Sequence, residues 1–122
     1  MKMAKILVVD DVVVDQTRMA DVVKSLGHTA ITASDGEEAL QKAKSERPDL
    51  ILLDIVIPKK NGFQVCRELR EDPSVANTPV IMVTSKNQDT DKFYGLKQGA
   101  NEYLPKPYSE DALKNAIKKF IK

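Results

Sequence analysis

Apolar runs of strand length alternate with stretches of helical period from one end of the chain to the other. The first run, Lys5 to Asp10, leads into a helical stretch with Met19, Val22, Val23 and Leu26 on one face and Gly27 as its C-terminal stop. His28 to Ala33, rich in β-branched residues, reads as a second strand. Ser34-Asp35-Gly36-Glu37 fits a capping box in which Ser34 and Glu37 satisfy amides at a helix start. Ala39, Leu40 and Ala43 supply that helix's apolar face, and Pro48 closes the region. Leu50 to Asp54 is a third strand, and Phe63, Cys66 and Leu69 mark a third helix. Pro79 introduces a fourth strand, Val80 to Thr84. The fourth helix, about 88–98, has a thin apolar face of Phe93 and Leu96, although Asp89, Asp91 and Lys97 suit the helix dipole. Tyr103-Leu104 forms the fifth strand. The last helix starts at the N-cap Ser109 and carries the stripe Leu113, Ala116, Ile117, Phe120 and Ile121.

Five strands alternating with five helices predict an α/β fold, a doubly wound parallel sheet covered on both faces. In such a sheet the polar groups that end the strands share one edge, where open α/β sheets place their sites. The first strand ends in Asp10-Asp11, the third in Asp54 and the fourth in Thr84-Ser85, while the fifth leads through Pro105 into Lys106-Pro107. Three carboxylates gathered there repel one another, and a divalent cation relieves the repulsion. An oxygen-only ligand set favours Mg²⁺ or Mn²⁺ over zinc. A carboxylate beside such a cation can attack phosphorus and form an aspartyl phosphate. That chemistry needs the charge on the phosphoryl oxygens neutralised. The cation serves one oxygen, Lys106 a second, and the Thr84 hydroxyl with nearby amides a third. Asp54, alone on its strand, is the best nucleophile, and Asp10 with Asp11 makes a metal-holding pair.

Composition narrows the classes of function. At 122 residues the chain is expected to form one domain, 1–122, with a real core. Its net charge of +1 gives no support for nucleic-acid binding. No apolar run is long enough to cross a bilayer, and the four-residue run near the N-terminus is too short for a secretory signal. The single cysteine excludes an internal disulfide and fits a reducing, cytoplasmic setting. Taken singly, most of these residues have bland readings. Asp10 or Asp11 could cap the first helix, Thr84 could be an ordinary strand residue, and Lys106 a solvated charge. Cys66 fits inert packing, His28 a structural role, and Lys114, Lys118, Lys119 and Lys122 a solvated helix end.

The combination is more specific. Val8-Val9-Asp10-Asp11 and Leu53-Asp54 followed by Pro58 and Gly62 are succeeded by Pro79-Val80-Ile81-Met82-Val83-Thr84, then Gly99-Ala100 and Tyr103-Leu104-Pro105-Lys106-Pro107. In this order and spacing the pattern resembles the receiver domain of two-component response regulators over essentially the whole chain. The resemblance implies the flavodoxin-like strand order 2-1-3-4-5. It implies that Asp54 accepts a phosphoryl group from a histidine kinase or phosphotransfer protein. Asp10, Asp11, Asp54 and the main-chain carbonyl of Val56 would bind Mg²⁺, and Lys106, with a cis bond to Pro107, would contact the phosphoryl group. Thr84 and Tyr103 match the switch pair that remodels the face made by the fourth helix, fifth strand and fifth helix, where a downstream protein docks. The chain stops with the fifth helix, so a stand-alone regulator without an effector domain is expected. Ser85-Lys86-Asn87-Gln88-Asp89-Thr90-Asp91-Lys92 is similar to regulators in pilus-driven (twitching) motility and related chemosensory systems.

Val12 and Ile57 depart from the common pattern without removing a reacting group. Val56 and Lys86 lie two residues after Asp54 and Thr84, where they flank an incoming water, and predict an unusual rate of self-hydrolysis. An enzyme working through an aspartyl intermediate, a phosphatase or phosphotransferase, is the competing reading. Such enzymes pair the nucleophile with a second carboxylate two residues on, and that position is Val56. A phosphorylation-independent scaffold is the third.

Overall fold

The computed structural model describes residues 3–121; Met1, Lys2 and Lys122, the last read above as part of a solvated helix end, lie outside the described residues. Strands and helices alternate throughout. They run β1 (Lys5–Val9), α1 (Val13–Ser25), β2 (Thr29–Ala33), α2 (Gly36–Glu46), β3 (Leu50–Leu53), α3 (Gly62–Glu71), β4 (Val80–Thr84), α4 (Asp89–Lys97), β5 (Glu102–Pro105) and α5 (Glu110–Phe120). The strands pair in parallel in the order β2-β1-β3-β4-β5. This is the expected doubly wound, flavodoxin-like sheet.

The period of two along each strand divides the core into two layers. Leu7, Val9, Ile51, Leu53 and Met82 face one layer, with Ala39, Leu40 and Ala43 of α2 and Val65, Cys66 and Leu69 of α3. Ile6, Val8, Leu50, Leu52, Ile81 and Val83 face the other, with Met19, Val22 and Val23 of α1 and Leu113, Ala116 and Ile117 of α5. Because both faces are covered, the central strands read as unbroken apolar runs. The register places Val9 beside Leu53 and Leu53 beside Met82, so the residues just past β1 and β3 emerge side by side.

Two local expectations change. The start of α2 lies one residue later than the capping-box reading. Asp35 is the N-cap, accepting from the Glu38 amide at 2.8 Å, and the Glu38 carboxylate accepts from the Ser34 amide at 2.8 Å. The cause is tertiary. The Gly36 amide donates to the Pro58 carbonyl at 3.1 Å, and a Cβ on Gly36 would meet the Lys60 carbonyl oxygen, so only glycine allows this close approach. The second change concerns α4. Its apolar residues Phe93 and Leu96 point to solvent, 64% and 44% exposed, and Gly95 is the only buried residue of the helix. Bare backbone at Gly95 lies on Met82 and Tyr103, while Tyr94 meets Phe63 of α3 edge-on with ring centroids 4.7 Å apart.

Candidate functional site

Three strands end in the same local device. The Asp10 Oδ1 accepts from the Val12 amide at 2.9 Å, the Asp54 Oδ1 from the Val56 amide at 3.1 Å, and the Thr84 Oγ1 from the Lys86 amide at 3.3 Å. In each case a short polar side chain holds the amide two residues on, which turns the chain out of the sheet. All three residues are buried. Gln16 of α1 reinforces the first turn by donating to the carbonyls of Asp10 and Ala33 at 2.9 and 3.0 Å. The bland reading of Asp10 as the cap of the first helix does not hold: the N-cap is Val12, and one Asp10 oxygen holds the turn before it.

The second oxygens converge on Lys106. Its ammonium lies 2.8 Å from Asp10 Oδ2, 3.0 Å from Asp15 Oδ2 and 3.1 Å from Asp54 Oδ2. The lysine is delivered there by the end of β5, where its amide donates to the Thr84 carbonyl at 2.8 Å; the Lys106–Pro107 bond that follows is cis, as expected. Burial works against the lysine's charge, but hydrogen bonds to Asp10 and Asp15 and the charge of Asp54 outweigh it, holding the ammonium well above the usual lysine range. Burial pushes the Asp10 carboxyl up, against the pull of Lys106 and the Val12 amide. The network is a set of charges, buried at Asp10 and Asp54 and half-buried at Asp15 and Lys106, whose members depend on one another.

Asp10, Asp54 and Lys106 thus meet as the sequence predicts, with Thr84 one strand away. Asp11 does not join them: it is exposed, and among the described residues no three acidic, histidine or cysteine side chains are grouped to hold a metal by themselves. The third carboxylate at the centre is instead Asp15, which sequence reasoning missed. An aspartate in the first turn of a helix reads as a dipole complement, and nothing in its spacing from Asp10 signals a lysine 91 residues further on.

The residues nevertheless suit a hard divalent cation that keeps much of its water. Asp10 and Asp54 offer buried carboxylate oxygens, Asp11 stands exposed beside Asp10, and no backbone amide among the described residues donates to the Val56 carbonyl. Beside the site lies a cavity of about 320 Å³ lined by Ile55, Val56, Ile57, Asn61, Phe63 and Lys86.

Tyr103 is buried, and its hydroxyl donates to the Lys86 carbonyl. Burial, followed by the charges of Asp91 and Asp54, pushes its phenol up to about 12. Two residues read as bland have settled roles. Cys66 is buried, and burial pushes its thiol up, away from the reactive thiolate. His28 accepts from the Ala4 amide through Nδ1 at 3.0 Å.

Comparison with known proteins agrees with this arrangement. Residues 6–118 match the response regulator receiver domain family. Protein PilH of Pseudomonas aeruginosa is 42% identical over 115 residues, 94% of this chain and 95% of that protein. The alkaline phosphatase synthesis transcriptional regulatory protein PhoP of Bacillus subtilis is 42% identical over 118 residues, 97% of this chain but only 48% of its own length. The receiver domain of a sensor histidine kinase from Pseudomonas aeruginosa PAO1, solved with a magnesium ion coordinated in its active site cleft, superposes with a TM-score of 0.90 at 31% identity, covering 98% of each chain. Two buried aspartates and a half-buried third on one lysine, at the carboxyl edge of a 2-1-3-4-5 sheet, and these similarities lead to one conclusion: the chain belongs to the response regulator receiver domains of two-component systems.

Proposed function

We propose that residues 1–122 act as one receiver unit that takes a phosphoryl group on Asp54 from a phosphohistidine of a kinase or phosphotransfer protein. The observation that carries this reading is the Asp54 carboxylate, 5% exposed, with one oxygen held by the Val56 amide and the other on the Lys106 ammonium. In the transfer, an Asp54 oxygen forms the new O–P bond while the P–N bond of the donor breaks. The imidazole leaves with the electron pair and is protonated. Lys106 neutralises charge on the phosphoryl oxygens, where a fixed ammonium in a water-poor site is most effective. Asp10, Asp11, Asp54 and the Val56 carbonyl would hold Mg²⁺, for which Mn²⁺ is a reasonable substitute, and the cation supplies further neutralisation of phosphoryl oxygen charge. Val12 and Val56, whose amides are held by Asp10 and Asp54, are exposed apolar side chains beside the site and suit cover by a protein donor.

The output follows from the Lys86 peptide. Its amide is held by Thr84 Oγ1 and its carbonyl by the Tyr103 hydroxyl. When the Thr84 hydroxyl turns toward a phosphoryl oxygen it releases that amide, and the β4–α4 loop with Tyr103 settles anew. The surface that changes is the face of α4, β5 and α5, which already exposes Phe93, Tyr94 and Leu96 to a downstream partner. The signalling role is placed in the cytoplasm, whose reducing setting suits the single buried Cys66. Similarity to protein PilH supports the pilus-motility resemblance of 85–92.

The test is incubation with acetyl phosphate, with and without Mg²⁺, followed by intact-mass measurement. One phosphate-sized adduct, dependent on Mg²⁺ and lost in Asp54→Asn, is the expected result. An adduct that survives in Asp54→Asn overturns the assignment.

A further inference from the structure

Of the three carboxylates on Lys106, Asp15 is the one that neither ends a strand nor holds a turn. It stands in the first turn of α1, behind an N-cap residue, Val12, whose side chain makes no capping hydrogen bond. A lysine ammonium has three N–H donors. Here three acceptors stand at 2.8, 3.0 and 3.1 Å, so every donor is engaged. Until the O–P bond forms, an oxygen of the incoming phosphoryl group reaches this ammonium only if one carboxylate lets go.

The three are not equivalent. The Asp10 side chain is 0% exposed and, left unpaired, would be a buried bare charge, whereas Asp54, 6% exposed, is the acceptor and passes its charge to the phosphoryl oxygens only as the bond forms. The Asp15 side chain is 30% exposed, so water replaces the lysine there at small cost. Asp15 is the contact that yields.

Resting on the receiver reading above, we infer that Asp15 is a positioning residue that holds Lys106 in the unphosphorylated protein and competes with the phosphoryl group for its ammonium. The carboxylate sets how readily the site accepts an anion, in two ways. It occupies a donor that the phosphoryl oxygen needs. It also adds a fourth negative group, with Asp10, Asp11 and Asp54, against one ammonium.

The experiment compares wild type, Asp15→Asn and Asp15→Glu in the presence of Mg²⁺, titrating each with beryllofluoride, an anionic mimic of the phosphoryl group. Thermal melts of each variant without ligand report on folding. Asp15→Asn is expected to bind beryllofluoride about fivefold more tightly, the scale of one partly exposed ion pair. Asp15→Glu, which keeps the charge, is expected to stay within about twofold of wild type. In proton–nitrogen spectra the Lys106 ammonium of unliganded Asp15→Asn should exchange faster with water than that of wild type. A merely structural aspartate would give the opposite sign, weaker binding together with a lower melting point. Affinity in Asp15→Asn equal to or below that of wild type overturns the inference, as does a Glu variant that binds as tightly as Asn. Failure of wild type itself to take up beryllofluoride at Asp54 overturns instead the receiver reading on which the inference rests.

Discussion

Helices α4 and α5 both pack against the edge strand β5, yet they are held in different ways. In α5 a Ser109 N-cap accepts from the Ala112 amide at 3.0 Å, and Leu113, Ala116 and Ile117 are all but excluded from water. In α4 only Gly95 is buried, and the start is tied by a long contact from the Gln88 amide to Asp91 at 3.4 Å. One helix is fastened by burial, which is non-directional and strong in sum. The other rests on a glycine, an aromatic edge contact and the Tyr103 ring beneath it. Elements with little buried apolar surface lie at the low-stability end of a fold and are the ones that move. The weakly held helix is also the one whose preceding loop is gripped by Thr84 and Tyr103.

The largest test of this contrast is Leu113→Ala. It should cost about 3 kcal/mol in urea unfolding, because Leu113 is fully buried and its truncation removes apolar contacts and leaves a cavity. Next is the alkaline limb. The phenol of Tyr103 rises to about 12 from the ordinary 10.0, so the native state keeps it neutral where the unfolded chain ionises. Stability it contributes is complete below pH 10 and is lost as pH climbs toward 12. In Tyr103→Phe that loss should shrink by about 2–3 kcal/mol, measured as unfolding free energy against pH.

Gly95→Val sharpens the contrast from the helix side. A Cβ at Gly95 lies 2.8 Å from the Met82 Sδ and 3.3 Å from the Tyr103 ring, so the variant must displace one of them. We expect a cost of about 2 kcal/mol from overpacking. The Tyr103 titration should also fall back toward 10, read by ultraviolet absorbance. The smallest effect belongs to Phe93→Ala, which should change stability by less than about 0.5 kcal/mol, since the ring is exposed. A loss as large as that of Leu113→Ala would mean that α4 is fastened after all.

Much of the site was legible from the chain because its signals are local. Asp10, Asp54 and Thr84 each close an apolar run, and a parallel sheet puts such endings on one edge. Lys106 was legible from the Pro105-Lys106-Pro107 sequence after the last strand. Asp15 was not, because its partner is remote in sequence and its own helix explains it adequately. Asp11 was read into the edge by adjacency to Asp10; it is exposed and takes no part in the Lys106 contacts, which leaves its oxygens free for the cation. The outward face of α4 was misread because two apolar residues cannot define a stripe, and the side that packs is marked by a glycine.

Periodicity, strand-end chemistry and capping residues are properties of short stretches, and they were enough to specify the number of elements, the sheet's layers and most of the residues at its functional edge. Which carboxylate completes the shell around Lys106, where α2 begins and which way α4 faces depend on contacts between segments distant in sequence. Those outcomes rest on the close approach of Gly36 to the Pro58–Lys60 turn, of Gly95 to Tyr103, and of Lys106 to three aspartates. Each is a matter of fit and charge in three dimensions, and no one-dimensional pattern encodes it.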